Sequence, residues 1–248
     1  DHVHSALCDL ADMHWISVLP QLLEDFQQLL RDALDLLREL GEADDRRDQS
    51  HWDLPSIGPH QQNHGFRHWV SFIELLRDSW LALRATDSAR AARLAQSWFE
   101  LPYPTFKRLA LFAASQENCI APHQWVDWLL ADGTWWLWST DTRREMSRLL
   151  VLQGCKLTED SQERLEATIL AGPPRERYRD ELDPEEWQDL QARSVWLRLA
   201  KLNASGLALR APAAASLAEL SNANPQWQLA ANESEEFSCW MGGSGDPD

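Results

Sequence analysis

His60, His64 and His68 stand at i, i+4 and i+8. On one helix they would share a face, and imidazoles at that spacing can hold zinc. Pro59 and Gly65 bracket the group, and no cysteine or carboxylate stands at ligand spacing. The three therefore read as a solvated loop leading into a helix. His2 and His4 alternate near the start and read as surface. Cys8, Cys119, Cys155 and Cys239 are far apart and form no C-x-x-C pair. They read as reduced thiols of a cytoplasmic protein, and no metal site is expected.

Carboxylates are plentiful, but acid–base catalysis needs two that converge in environments separating their pKa values. Asp44-Asp45, Glu185-Glu186 and Glu235-Glu236 are sequence neighbours. Neighbours on a helix point about 100° apart, so these pairs read as solvated faces. The chain contains no phosphate-binding loop, no dinucleotide fingerprint, no H-E-x-x-H and no G-x-S-x-G. Gly242-Gly243-Ser244-Gly245 has no following helix to complete an anion cradle. Asn203-Ala-Ser205 and Asn232-Glu-Ser234 match the glycosylation pattern by chance. These residues predict no enzyme, no catalytic residue and no bound cofactor within this chain.

Tryptophan is the compositional anomaly, with 14 residues in 248. Trp69, Trp80, Trp98, Trp125, Trp128, Trp187 and Trp196 fall on or beside apolar stripes and are expected in the core. Trp135, Trp136 and Trp138 differ, because three such neighbours cannot all bury on one helical face. Either the segment is tucked beneath the helices, or some rings are exposed to a partner, where tryptophan is a frequent hot-spot residue. The second reading makes Trp135, Trp136 and Trp138 the candidate partner-binding residues.

The elements that must position these residues are helical. Glycine is scarce, strand alternation is absent, and apolar residues recur at helical spacing. Pro20 is expected at a first helical turn, followed by one stripe of Leu22, Phe26, Leu29, Leu30, Ala33, Leu37 and Leu40 that stops at Gly41. Residues 42–64 have no periodicity and read as a mobile loop or linker. A second dense stripe runs from Phe66 to Leu83. Asp87 or Ser88, Pro104, Pro122, Thr142 with Glu145, Thr158, Asp183-Pro184 and Pro212 then mark successive helix starts.

Helices of this length with short breaks predict an all-α fold, an irregular α-solenoid of stacked antiparallel pairs resembling HEAT or TPR arrays. The expected division is N-terminal helices over 1–41, a linker over 42–64, the helical array over 65–232 and an irregular tail over 233–248. Asp1 in place of Met, and the Gly/Ser/Asp/Pro ending, read as a piece of a longer polypeptide.

Asp and Glu total 39 against 23 Lys and Arg, a net charge of −16. The densest basic runs, Arg46-Arg47 and Arg143-Arg144, sit beside acids. Nucleic acid is therefore not an expected partner, since its binding requires neutralised phosphates. No apolar run approaches the length that spans a membrane. A protein partner with a basic or mixed surface is favoured.

The string from Leu101 through Pro102-Tyr103-Pro104 to Ala114 resembles the helical region of large bacterial anti-phage defence proteins with a sirtuin-type NAD-hydrolysing domain. So do Trp128 to Leu130, Glu145 to Leu150 and Ile169 to Pro174. Related arrays occur in NTPase-linked defence proteins, and Glu236 to Met241 is similar to the start of a C-terminal module in the sirtuin-type members. The resemblance covers about residues 66 to 241 and rests on helix-packing motifs. It implies a sensor or scaffold that recognises a phage structural protein, is part of an oligomer, and releases NAD depletion by an effector domain outside this chain. The competing expectation is a purely structural or oligomerising spacer.

Overall fold

The computed structural model describes residues 12–60, 63, 69–178 and 183–229. The protein is all-α: ten α-helices and two short 3-10 turns, with no strand, occur among the described residues. Two compact units are formed, one by residues up to Ile120 with Thr140–Glu145, the other by Ala121–Ser139 with residues from Met146 onward. Residues 42–60 lie inside the first unit.

In the first unit, α1 spans Met13–Glu39. It starts seven residues before Pro20, because Asp12 caps it, accepting from the amides of His14 at 2.8 Å and Trp15 at 3.4 Å. Pro20 therefore sits inside the helix, a correction to its expected place at the first turn. Gly41 ends α1 at a φ of +74°, with the Glu42 amide bonded to the Leu37 carbonyl at 2.8 Å and the Gly41 amide to Arg38 at 3.0 Å. That paired closure requires the left-handed backbone glycine adopts without penalty.

Helices α2 (Ser50–Asp53), α3 (Val70–Thr86), α4 (Ser88–Glu100) and α5 (Pro104–Ser115) follow. Asp87 caps α4 and Pro104 opens α5. Every residue of α5 is buried. Helix α4 packs on both α3 and α5, α2 packs on α5, and α1 packs on α3. Leu19, Leu23, Leu30 and Leu34 are the buried row of α1. Trp80 and Trp98 are fully buried, and each indole N–H has an acceptor, the Ala91 carbonyl at 2.9 Å and Gln27 Oε1 at 2.7 Å. Such a partner offsets the cost of burying the indole N–H.

The second unit holds α6 (Pro122–Trp138), α8 (Glu159–Ala171), α9 (Pro184–Ala204) and α10 (Ala211–Ala223); α7 (Arg143–Gln153) begins in the first unit and continues into the second. Thr158 caps α8 and Asp183 caps α9, as their positions predict. Helix α8 packs on α6, α9 and α10. Gly154 lies where a Cβ would come 2.7 Å from Ser205 Oγ, so any larger residue would displace side chains at the end of α9. Trp125, Trp128 and Trp196 are buried, while Trp69 and Trp187 are half-buried.

Candidate functional site

The polar interior of the first unit is built by residues 48–58. Asp48 accepts from the Thr105 amide at 2.6 Å and the Thr105 hydroxyl at 2.7 Å. Arg108, fully buried at the centre of α5, donates to both carboxylate oxygens of Glu145 at 3.0 and 3.1 Å. It also donates to Ser50 Oγ at 3.1 Å and to the Leu54 and Pro55 carbonyls at 2.7 and 3.2 Å. Glu145 Oε1 accepts from the Ile57 amide at 2.8 Å. Arg77 donates to the Ile57 carbonyl at 3.0 Å and to Asp78 at 2.8 Å. Residues 48–58 of the expected linker are thus a held loop: Leu54, Ser56 and Ile57 are buried, Arg108, Glu145 and Arg77 bond the backbone at Leu54, Pro55 and Ile57, and the Asn63 amide bonds that of Ser56.

His51 Nδ1 lies 3.1 Å from Asp141, both side chains nearly buried, with the imidazole against the exposed Trp52 ring. The adjacent Ser50 hydroxyl accepts from Arg108 at 3.1 Å, which leaves its own O–H free to donate. His60 faces Arg144 at 3.3 Å, while His64, His68, His2, His4, Cys8 and Cys239 lie outside the described residues. Among the described residues, no three His, Cys, Asp or Glu side chains gather to hold a metal. No described helix is long and apolar enough to cross a membrane.

The tryptophan run is tucked. Helix α6 breaks at Asp132, Gly133 and Thr134, which take φ values of +52°, +67° and +67°. Three consecutive left-handed residues redirect the chain and turn residues 135–138 inward. Trp136 and Trp138 are buried, and Trp135 is half-buried. Trp136 Nε1 donates to Asp132 at 2.8 Å. The Arg177 guanidinium lies 3.8 Å from the Trp135 ring centre and donates to the Trp135 carbonyl at 2.7 Å. Arg198 lies 4.1 Å from the Trp138 ring centre and donates twice to the Leu137 carbonyl, at 3.0 and 2.8 Å. Two cations thus satisfy carbonyls that a helix end leaves open and cover the rings beside them. Partner contact by Trp136 and Trp138 is corrected accordingly, because both rings are consumed by the fold.

Exposed apolar surface gathers elsewhere. Met13, Leu29 and Leu36 on α1, with Leu40 at its end, are exposed at 76, 44, 61 and 65%. They are four of the six large hydrophobic side chains exposed among the described residues, the others being Trp52 and Leu152. Leu22, Leu29 and Leu36 are spaced by seven, and so are Phe26, Ala33 and Leu40. That is a heptad seam beside the buried row of the same helix. Asp25, Asp32 and Glu39 line its solvent flank at the same seven-residue interval, all exposed. The sequence carried this signal, but a single stripe from Leu22 to Leu40 hides the difference between the two rows. Comparison of the chain with protein-family models, with curated proteins and with solved structures found no match.

Proposed function

We propose that this chain is the recognition part of a larger bacterial anti-phage defence protein, a helical array that engages a protein trigger and couples it to an NAD-depleting effector domain outside the chain. The chain itself performs no chemistry in this reading. What supports it is the placement of exposed apolar surface: Leu29, Leu36 and Leu40 lie along one face and at the end of one helix, whereas Asp48, Arg108 and Glu145 are buried with hydrogen-bond partners. A row of exposed leucines is a feature of partner surfaces. The net charge of −16 adds a preference for basic or mixed protein surfaces over nucleic acid.

The test presents purified phage capsid and tail proteins, one at a time, to the immobilised chain. Saturable binding of one of them is expected. In the parent protein, removing this helical region should abolish NAD loss on infection while leaving the effector domain folded. Absence of binding by a cooperatively folding chain, together with NAD loss that persists after removal, would contradict the proposal and leave the spacer.

A further inference from the structure

The outer seam of α1 runs from Leu22 through Phe26, Leu29, Ala33 and Leu36 to Leu40; Leu29, Leu36 and Leu40 are exposed, and Leu22, Phe26 and Ala33 are half-buried. At about 1.5 Å per residue it is about 27 Å long, enough for a partner helix of five turns. Its inner neighbours Leu23 and Leu30 are fully buried in the first unit, so the helix is already fixed and needs no ordering to bind. The opposite flank is the row Asp25, Asp32 and Glu39, and no ion pair among the described residues engages it.

We infer that this seam docks an amphipathic helix that is aliphatic along one stripe and carries Lys or Arg along its edge. Charge complementarity selects this occupant. In an antiparallel pair of two copies, the acidic row of each helix would face the acidic row of the other. In a parallel pair it would face Leu23 and Leu30, which are buried in the core. Neither arrangement neutralises three carboxylates at heptad spacing, whereas lysines or arginines flanking a foreign helix do. The same row repels the phosphates of nucleic acid and anionic lipid. The inference rests on the recognition reading above, and the two fail separately. A phage protein captured by a chain whose seam has been altered would keep that reading and remove this surface.

The probe is a designed amphipathic peptide of about 21 residues with Leu at the seam positions and Lys on both flanks, compared with a twin carrying Glu on the flanks. Fluorescence anisotropy with the intact chain should show the Lys peptide binding about tenfold or more tighter than its twin, with affinity falling as salt is raised to about 0.5 M. Leu29→Ser with Leu36→Ser leaves the net charge unchanged and should abolish binding while the melting temperature holds. Asp25→Asn, Asp32→Asn and Glu39→Gln together should erase the preference between the two peptides. Equal binding of the Lys peptide by the leucine variant would show general attraction to an acidic protein and overturn the inference. So would indifference to peptide charge, absence of binding, or a stable dimer of the chain that the leucine variant dissolves.

Discussion

Arg108 and Glu145, 37 residues apart, meet as a two-pronged ion pair whose side chains are 0% and 2% exposed. The pair also holds the backbone at Leu54, Pro55 and Ile57. It therefore ties α5, the start of α7 and the segment over 48–58 into one structure. Removing one partner leaves the other charge buried and uncompensated. Glu145→Gln or Arg108→Met should each lower folding stability by about 3–5 kcal/mol. Chemical denaturation measures this, and Arg108→Met with Glu145→Leu should recover part of the loss. A single variant within about 0.5 kcal/mol of the parent would show that the pair does not organise this core.

Trp138 is buried beneath Arg198, while Trp135 is half-buried beneath Arg177. Trp138→Ala should therefore cost about 3–5 kcal/mol of stability. Trp135→Ala should cost clearly less, since less surface leaves water. Melting curves of the two variants side by side give the order, and a reversed order would contradict the packing described.

Thr134 holds a left-handed backbone, φ +67° and ψ +18°, that a β-branched residue adopts only under strain. Asparagine tolerates that region better, so Thr134→Asn should raise stability by about 1 kcal/mol. An unchanged or lower melting temperature would mean that the turn relaxes or that the threonine side chain is needed.

Burial pushes the Cys119 thiol up to about 11, against a smaller opposing pull from Arg84. The neutral form is the one folding favours. That contribution to stability is full below the free thiol's ordinary value near 9 and is lost as pH rises through about 11. At pH 8 roughly one Cys119 in a thousand is thiolate. Peptide mapping after brief iodoacetamide treatment should find Cys155, which is exposed, labelled well before Cys119. Cys119 labelling should accelerate as pH approaches 11. Equal labelling at pH 8 would contradict the burial.

Helix starts were legible because caps and prolines act locally: Asp87, Pro104, Pro122, Thr158 and Asp183 all stand where their chemistry predicts. Pro20 misled because a stronger local signal, the Asp12 cap, lies upstream and α1 accommodates the proline. The order of residues 48–58 was hidden because its bonds to Thr105 and Arg108 cross more than 50 residues and leave no periodic trace. Periodicity does not separate a tucked from an exposed tryptophan run, because arginines at 177 and 198, far along the chain, supply its cover. Around α1, the apolar arc was readable, but which half lies against α3 depends on tertiary packing. Only the structure separates the buried leucines from Leu29, Leu36 and Leu40, which stay exposed.

Hydrogen exchange of the intact chain, with and without the Lys-flanked peptide, tests the central claim most directly. The account predicts slowed exchange concentrated over residues 22–40 of α1, with little change over 131–138. Protection centred on the tryptophan segment, or none over 22–40 at saturating peptide, would contradict recognition through this helix.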